Sequence, residues 1–251
     1  MTNSYGPSIV RDGLVLYLDA GDRNSYPGTG NTWYDLSGNG NNGAFGASTA
    51  TPSFSSDNKG SIVFGGNDYV NVSSFGEDSN DALSVFGWVR LTAENFYAGD
   101  GSYISWIANK RDNGTDNQWQ LLAYRDPNSL NIILVNAGIF DGTNSIGATL
   151  YNGSPSYAMS LNSWHYIGFT TSGINGGFLR AYVDTNLNGY TTLSGNRKKG
   201  SRDLIIGSTA WSLGSSLSWD GNIANLTIYN RAISENEISK NYNATRGRFG
   251  I

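Results

Sequence analysis

Residues 83–91, LSVFGWVRL, carry apolar side chains on both faces of one predicted strand. Successive side chains of an extended chain point to opposite sides. A strand that is apolar on both sides must be covered on both sides, so this segment predicts a central strand in a layered β-structure. One face carries Leu83, Val85, Val89 and Leu91, and the other face carries Phe86 and Trp88.

The same alternating pattern recurs along the whole chain. Residues 130–136 and 164–170 are apolar in a similar way, and the segments between strands are rich in Gly, Asn, Asp and Ser, with 33 glycines in total. Hydrophobic residues make up 38% of the 251 residues, enough for a sheet-on-sheet core. We therefore predict one all-β domain. Further strands are predicted at 14–18, 61–64, 68–72, 103–108, 118–124, 178–183, 203–207 and 223–229.

One segment has a different pattern. Residues 233–246, ISENEISKNYNATR, predict a short C-terminal helix. Ser234 is suited to the N-cap, and Glu237 stands three residues later, where it would complete a capping box. The isoleucine before the cap and Ile238 would form a hydrophobic staple. Gly247 would end the helix in the left-handed conformation.

Charge and composition exclude several classes of partner. The net charge is −4, which disfavours nucleic acid as a partner. The one basic cluster, Arg197 to Arg202, is too short for a nucleic-acid tract. No stretch approaches the ~18 apolar residues of a membrane span, so no membrane insertion is expected. The chain has no cysteine, and no signal peptide is recognised at its start, so release by host lysis is the expected route out of the cell.

Four blocks of sequence carry a resemblance to a known family. They are GLVLYLDAGDRNSYPGTGNTWYDLSGNGNNG at 13–43, GSIVFGGNDYVNV at 60–72, SWHYIGFTTS at 163–172 with LRAYVD at 179–184, and WDGNIANLTIYNRAISENEISKNYNATRGRFGI at 219–251. Together they resemble the laminin-G-like, concanavalin A-like domains found in structural proteins of tailed phages.

The resemblance implies a jelly roll, which is a sandwich of two antiparallel sheets. Members of this family include capsid decorations, fibres and other appendages, as well as sugar-binding modules. The resemblance thus implies a virion structural protein on the particle surface whose partners are other virion proteins. The alternative is a lectin-like module that recognises a host glycan. Fold alone does not decide between them.

The carboxylates do not match those of the glucanases that share this fold. Such enzymes carry paired acids on one strand as Glu-x-Asp-x-Glu, because cleavage of a glycosidic bond needs two carboxyls about 5 to 10 Å apart. This chain has no such motif. It has four glutamates, and two of them fall in the predicted helix: Glu77, Glu94, Glu235 and Glu237. We expect no glycosidase activity.

His165 is the only histidine. It lies in a predicted strand, in phase with Ile167 and Phe169. A catalytic triad needs a serine nucleophile and an orienting acid beside the histidine, and no Gly-x-Ser-x-Gly elbow marks such a serine. We predict a structural strand histidine and a protein that is not an enzyme.

Two oxygen-rich loops are candidates for a structural Ca²⁺. Asp184 to Gly189 matches the first half of an EF-hand loop, but Gly195 stands where the bidentate Glu belongs. The same spacing fits a β-hairpin with Asn-Gly at its tip. Relatives often bind calcium through a loop such as 35–41 and acids near the last strand, where this chain has Ala224 and Asn225 instead. The candidate ligands are Asp35, Asn39, Asp184 and Asp220. Because the expected acids are missing from both places, we expect no cofactor, and a structural Ca²⁺ is the alternative.

Aromatic side chains on loops could stack on the faces of sugar rings. The four candidates for glycan binding are Trp33, Tyr97, Trp211 and Trp219. Others in the same setting are Tyr26, Phe96, Tyr151 and Tyr157. The alternative for each of them is that it packs its loop onto the sandwich.

The predicted domain spans residues 13–251, and residues 1–12, MTNSYGPSIVRD, precede it as an N-terminal arm. Ile9 and Val10 are small apolar anchors on this arm, which would dock the domain on a particle. An arm buries little surface, because specific interfaces usually bury about 1,200–2,000 Å². Self-association, for example as a trimer, would supply the remaining area.

Overall fold

A computed structural model describes residues 8–76, 81–92, 103–112, 114–125, 133–149, 158–209 and 218–251. Within these ranges there are 16 strands and one α-helix. The helix, α1, spans Glu235–Thr245. The strands are β1 Leu14–Asp19, β2 Thr32–Trp33, β3 Gly43–Phe45, β4 Ser53–Ser55, β5 Ser61–Gly65, β6 Val70–Val72, β7 Leu83–Leu91, β8 Tyr103–Lys110, β9 Asn117–Arg125, β10 Ile133–Gly142, β11 Ser145–Thr149, β12 His165–Thr171, β13 Phe178–Val183, β14 Asn186–Thr192, β15 Leu204–Ile206 and β16 Asp220–Tyr229.

The strands form two antiparallel sheets of eight strands each. The first sheet has the order β14-β13-β12-β7-β16-β5-β4, and β1 pairs with the second half of β16. The second sheet has the order β11-β10-β9-β8-β15-β6-β3-β2. The predicted sandwich of two antiparallel sheets with one short C-terminal helix is confirmed.

Strand β7 lies in the middle of the first sheet, between β12 and β16. Its face with Val85 and Val89 packs in the core between the two sheets, and its face with Phe86 and Trp88 packs in a second apolar cluster on the outer side. All four side chains are fully buried. The prediction that this strand is covered on both sides is correct.

The second apolar cluster arises because α1 and the start of the chain lie across the outer face of the first sheet. Ile238 of the helix and Ile9 and Val10 of the N-terminal segment pack there, against residues that include Trp88. The first sheet is therefore buried on both faces at its centre, which explains why β7 and β16 are apolar on both sides.

Two residues of the predicted N-terminal arm, Ile9 and Val10, pack on the domain. Ile9 and Val10 are each only 7% exposed. The Val10 amide donates to the Asn241 side chain at 2.8 Å, and the Tyr229 hydroxyl donates to the Val10 carbonyl at 3.1 Å. These residues are part of the domain, so the expectation that they extend from it is wrong. Residues 1–7 lie outside the described ranges.

The helix begins as predicted and ends differently. The Ser234 side chain accepts from the Glu237 amide, and the Glu237 side chain accepts from the Ser234 amide, which completes the capping box. After Thr245 the chain continues into a 3-10 turn at Arg246–Arg248. The positive φ expected at Gly247 occurs at Gly250 instead, at +73°.

The hairpin predicted after residue 183 is present, but its tip is not Asn-Gly. Asp184 and Thr185 connect β13 to β14 with φ of +48° and +72°. Asn188 and Gly189 lie within β14, where the register of pairing shifts. In the part of the chain that the structure describes, no helix is long and apolar enough to cross a membrane.

Candidate functional site

The tryptophans predicted to bind sugars do not reach the surface. Trp33 and Trp219 are 0% exposed and belong to the core between the sheets. Tyr26 is also buried and stacks on Phe45 with 5.4 Å between ring centroids. The prediction is wrong for Trp33 and Trp219, because a ring without an exposed face cannot stack on a ligand. Tyr97 and Trp211 lie outside the described residues, as do Phe96, Tyr151 and Tyr157.

The carboxylate of Asp35, a candidate Ca²⁺ ligand, is engaged by hydrogen bonds within the protein. The Asp35 carboxylate accepts from the amides of Tyr17 at 2.9 Å, Ser37 at 2.9 Å and Asn41 at 3.0 Å, and from the Ser37 hydroxyl at 2.7 Å. These four donors fill the lone-pair positions that a cation would use. Asp35 therefore holds the loop onto β1 by hydrogen bonds.

The other predicted ligands are not brought together. The Asn39 side-chain amide donates to the Ser37 hydroxyl at 2.9 Å. Asp184 pairs with His165, and Asp220 begins β16 and contacts the Thr92 hydroxyl. Among the residues that the structure describes, no group of three or more His, Cys, Asp or Glu side chains could hold a metal ion.

His165 has an acid and a serine beside it, which the sequence did not indicate. Its Nδ1 lies 2.6 Å from Asp184 Oδ2, and its Nε2 lies 3.2 Å from Ser160 Oγ. Asp184 also accepts from the amide of Tyr166 at 2.8 Å.

The arrangement serves the turn rather than a triad. The backbone amide of Ser160 donates to His165 Nε2 at 3.1 Å, so the lone pair that would take a serine proton is already engaged. Through its other nitrogen, the ring ties this turn to Asp184 at the tip of the β13–β14 hairpin. The contacts agree with the prediction of a structural histidine.

A cleft of about 500 Å³ opens on the outer side of the second sheet. Asn71 of β6 pairs in register with Ile205 of β15, and both side chains point away from the core because their neighbours in each strand point into it. The ring of Tyr69 lies close against the backbone of Gly46. A β-carbon added at residue 46 would lie only 2.8 Å from this ring, so only glycine leaves room for it. We call this the second-sheet cleft. Its lining residues are Tyr69, Asn71, Asp116, Ser201, Arg202, Asp203 and Ile205.

Polar groups of the second-sheet cleft are held in fixed positions. Asp203 accepts from the Asn71 side-chain amide at 3.0 Å and from the Ser74 backbone amide at 2.8 Å. Arg202 bridges Asp112 at 2.7 Å and Asp116 at 2.9 Å. The Nε and Nη2 groups of this guanidinium therefore contact carboxylates of the protein itself.

The balance of effects on Asp116 keeps it ionised. Burial by itself raises the pKa of Asp116, but hydrogen bonds from Arg202, Gln118 and Lys198 outweigh burial and hold its pKa below the usual value. The cleft is thus lined by two carboxylates, an amide and one aromatic side chain. Rigid acceptors beside a ring are the groups that recognise hydroxyls and the C–H face of a sugar.

Beside the cleft, the same outer face continues as a buried polar network on β9 and β10. The Arg111 guanidinium donates to the side-chain oxygen of Gln120, and the side-chain amide of Gln120 donates to the side-chain oxygen of Asn136 at 3.1 Å. The Arg111 guanidinium lies 4.4 Å from the Phe140 ring centroid, and burial lowers the pKa of Arg111 to about 10. Gln120, Asn136 and Phe140 are at most 8% exposed, so this network braces the sheet beside the cleft.

Sequence reasoning missed the second-sheet cleft. Its residues come from three separate segments that meet only through the pairing of β6 with β15 and of β15 with β8. The one available signal was Asn71, a polar residue between Val70 and Val72, which indicates a strand with a polar outer face.

The fold resembles several solved binding domains. It matches domain 4 of AbnA, an extracellular arabinanase from Geobacillus stearothermophilus solved in complex with arabinotriose, at TM-score 0.58 and 14% identity over 91% of this chain and 98% of that one. It matches the botulinum neurotoxin serotype D ligand binding domain in complex with N-acetylneuraminic acid at TM-score 0.63 and 15% identity over 93% and 51%. It matches the binding domain of paraclostridial mosquitocidal protein 1 at TM-score 0.64 and 15% identity over 92% and 52%.

These likenesses show the fold, and the chain spans about half the length of the two toxin domains. A search of curated protein sequences finds no significant match. The family model described as the concanavalin A-like lectin/glucanases superfamily, Laminin_G_3, matches residues 64–239, more than half of the chain. This chain belongs to the concanavalin A-like lectin/glucanase superfamily.

Proposed function

We propose that this chain is a non-catalytic carbohydrate-binding domain, and that the second-sheet cleft holds the glycan. The observation that carries the proposal is the cleft itself. Tyr69 offers a ring face, and Asn71, Asp116 and Asp203 offer fixed polar groups around it. The arabinotriose complex of AbnA domain 4, which this chain matches over almost its whole length, supports the proposal.

The charges of the cleft favour a neutral oligosaccharide. Its one arginine, Arg202, is engaged by Asp112 and Asp116. An acidic sugar would have to displace one of these carboxylates and would lie beside Asp203, and like charges at close range repel. A neutral sugar donates its hydroxyls to the same carboxylates without that cost.

A glycan array of neutral and acidic oligosaccharides, followed by calorimetry on the best neutral ligand, tests this function. We expect Tyr69→Ala to weaken binding at least tenfold, because the stacking face is lost. Asp203→Asn should weaken it too, because the amide replaces one acceptor oxygen with a donor. The matched control is Tyr190→Ala on β14, since Tyr190 is 63% exposed and lies on the other sheet. Equal binding by Tyr69→Ala and the control would refute the assignment.

A second candidate function is display on a virus particle, where other virion proteins are the partners and a homo-oligomer such as a trimer supplies the contact area. It is favoured by residues 13–43 and 219–251, the blocks that most resemble phage structural proteins. These blocks meet in the fold, since β1 pairs with β16 and Asp19 pairs with Arg248 at 2.6 Å. The feature that resembles the phage family is therefore one structural unit.

Residues 1–7 are the docking segment in this proposal, because Ile9 and Val10 are committed to the domain. Mass spectrometry of particles purified from lysed cells should detect the chain. Deletion of residues 1–7 should leave a folded protein that no longer joins the particles. Particles without the chain would refute the proposal, and light scattering after size-exclusion chromatography gives the number of copies.

A further inference from the structure

A second pocket of about 260 Å³ lies between the loop that follows β1 and the segment from β4 to β5. We call it the loop pocket. It is separate from the second-sheet cleft, with which it shares no lining residue. Among the residues that line it are Arg23, Tyr26, Pro27, Phe54, Ser56 and Lys59.

One wall of the loop pocket is aromatic and rigid. Tyr26 stacks on Phe45 and packs against Phe54 with 5.3 Å between the ring centroids. Its hydroxyl donates to the carbonyl of Gly30 at 2.8 Å, which fixes the ring in its loop. Phe54 is only partly buried and presents apolar surface to the pocket.

The charged groups of the loop pocket are both cations. Neither Arg23 nor Lys59 makes a salt bridge or a side-chain hydrogen bond with the rest of the described chain, in contrast to Arg202, Arg231 and Arg248. Asp22 precedes Arg23, but its carboxylate accepts from Asn24 within its own turn. The pocket therefore has two unpaired positive charges beside an aromatic wall.

Lys59 reaches the pocket through a backbone held in an unfavourable conformation. Asn58 and Lys59 have φ of +53° and +68°, a region that side chains other than glycine rarely adopt. Arg248 holds this segment by donating to the carbonyls of Asn58 at 3.3 Å and Gly60 at 2.8 Å. A β-carbon at Gly60 would lie 2.3 Å from the Ala20 carbonyl, so the two loops are in close contact.

Backbone strain that the surrounding structure maintains is characteristic of ligand sites. We propose that the loop pocket binds an acidic sugar, with the carboxylate between Arg23 and Lys59 and the ring against Phe54. Arginine and lysine both bind carboxylates through charge-assisted hydrogen bonds, and the aromatic wall selects a ring over a bare anion. The domain would then hold acidic and neutral sugars at two different sites.

An NMR titration of the full chain at low ionic strength tests this proposal. The chain is titrated separately with sodium glucuronate, glucose and inorganic phosphate, and the amide chemical shifts are measured. Glucuronate should shift amides of residues 20–28 and 54–60, and glucose should not. The double variant Arg23→Gln, Lys59→Gln should weaken glucuronate binding at least tenfold. The control Lys240→Gln removes an exposed lysine of α1 and should bind like the native protein.

Three further results decide the ligand class and separate this site from the cleft. Phe54→Ala should weaken binding of glucuronate and leave that of phosphate unchanged. Tyr69→Ala should leave glucuronate binding unchanged, whether or not the cleft binds neutral glycans. The proposal is overturned if phosphate binds as tightly as glucuronate, if glucose binds as tightly as glucuronate, if the double variant binds normally, or if Tyr69→Ala abolishes the effect.

Discussion

The outer faces of the two sheets use opposite chemistry. On the first sheet, Trp88 and its neighbours form an apolar surface that α1 and residues 8–12 cover. On the second sheet, the corresponding surface carries Asn71, Gln120 and Asn136 and opens into a cleft. Buried apolar area stabilises a fold without direction, whereas fixed polar groups give orientation and specificity. The first outer face therefore buries apolar area that stabilises the domain, and the second one presents the polar groups to which we propose that a glycan binds.

Loss of Trp88 should have the largest effect on stability. Its ring is fully buried, lies 4.4 Å from the Phe249 ring centroid, and donates to the Thr245 hydroxyl at 2.7 Å. Trp88→Ala should lower the free energy of unfolding by about 3–5 kcal/mol, measured by urea denaturation. Tyr69→Ala on the second sheet should cost less than about 1.5 kcal/mol. Comparable losses at both positions would contradict the division between the two faces.

The next largest effect should come from Arg248, which joins the end of the chain to β1 and to the loop pocket. It pairs with Asp19 at 2.6 Å, and both side chains are nearly buried, at 11% and 10% exposed. Arg248→Met would leave Asp19 without its cation, and removal of one partner of a buried pair costs about 3–5 kcal/mol. Because both side chains are slightly exposed to solvent, we expect Arg248→Met to lower the free energy of unfolding by about 3 kcal/mol.

The double variant Asp19→Asn, Arg248→Met is the control for that measurement. It removes both charges, so it should be more stable than Arg248→Met alone, because no uncompensated carboxylate remains. Thermal denaturation of the native protein, the two single variants and the double variant gives the coupling energy. A double variant whose loss of stability equals the sum of the two single losses would show that the charges are not coupled.

The sequence predicted the first outer face far better than the second. Both faces of β7 and the capping box at Ser234 and Glu237 are local patterns, legible within a few residues. The sequence does not reveal that Trp33 is buried, because a two-residue strand such as β2 is too short to show an alternating pattern. The cleft depends on strand pairing over long separations, such as Asn71 with Ile205, and no local pattern encodes it.

Acid should lower the free energy of unfolding by a smaller amount, through the start of α1, the helix that packs on the first sheet. Hydrogen bonds from Arg231, aided by those from Ser234, lower the pKa of Glu237 to about 2 against burial, which raises it. Because the folded-state pKa lies below that of the unfolded chain, this contribution is fully present above about pH 4.5 and is lost as the pH falls toward 2. Solvent screens the ion pair of Glu237 with Arg231, since Glu237 is 28% exposed. We therefore expect this pair to contribute about 1 kcal/mol to the free energy of unfolding.

Comparison of the native protein with Glu237→Gln at pH 7 and pH 3 isolates that contribution. The variant should be less stable than the native protein at pH 7, and the difference should shrink at pH 3, where the native glutamate begins to lose its advantage. Chemical denaturation at each pH measures it. A difference that stays constant between the two pH values would show that the glutamate stabilises the helix without its charge.

The smallest effect should be a gain in stability, and it concerns the loop pocket. Lys59 adopts φ of +68°, which costs a residue with a β-carbon about 1–2 kcal/mol and costs glycine little. Glycine has more freedom in the unfolded chain, which offsets part of this gain. Lys59→Gly should therefore stabilise the protein by about 0.5–1 kcal/mol, or a few degrees in the melting temperature. Lys240→Gly, within α1, should lose about 1 kcal/mol because glycine is a poor helix former. Glucuronate binding by Lys59→Gly should fall even as the melting temperature rises, because the variant lacks one of the two cations that we propose bind the carboxylate. A variant that melts lower than the native protein would show that the side chain of Lys59 supports the fold, and the strain would then carry no information about binding.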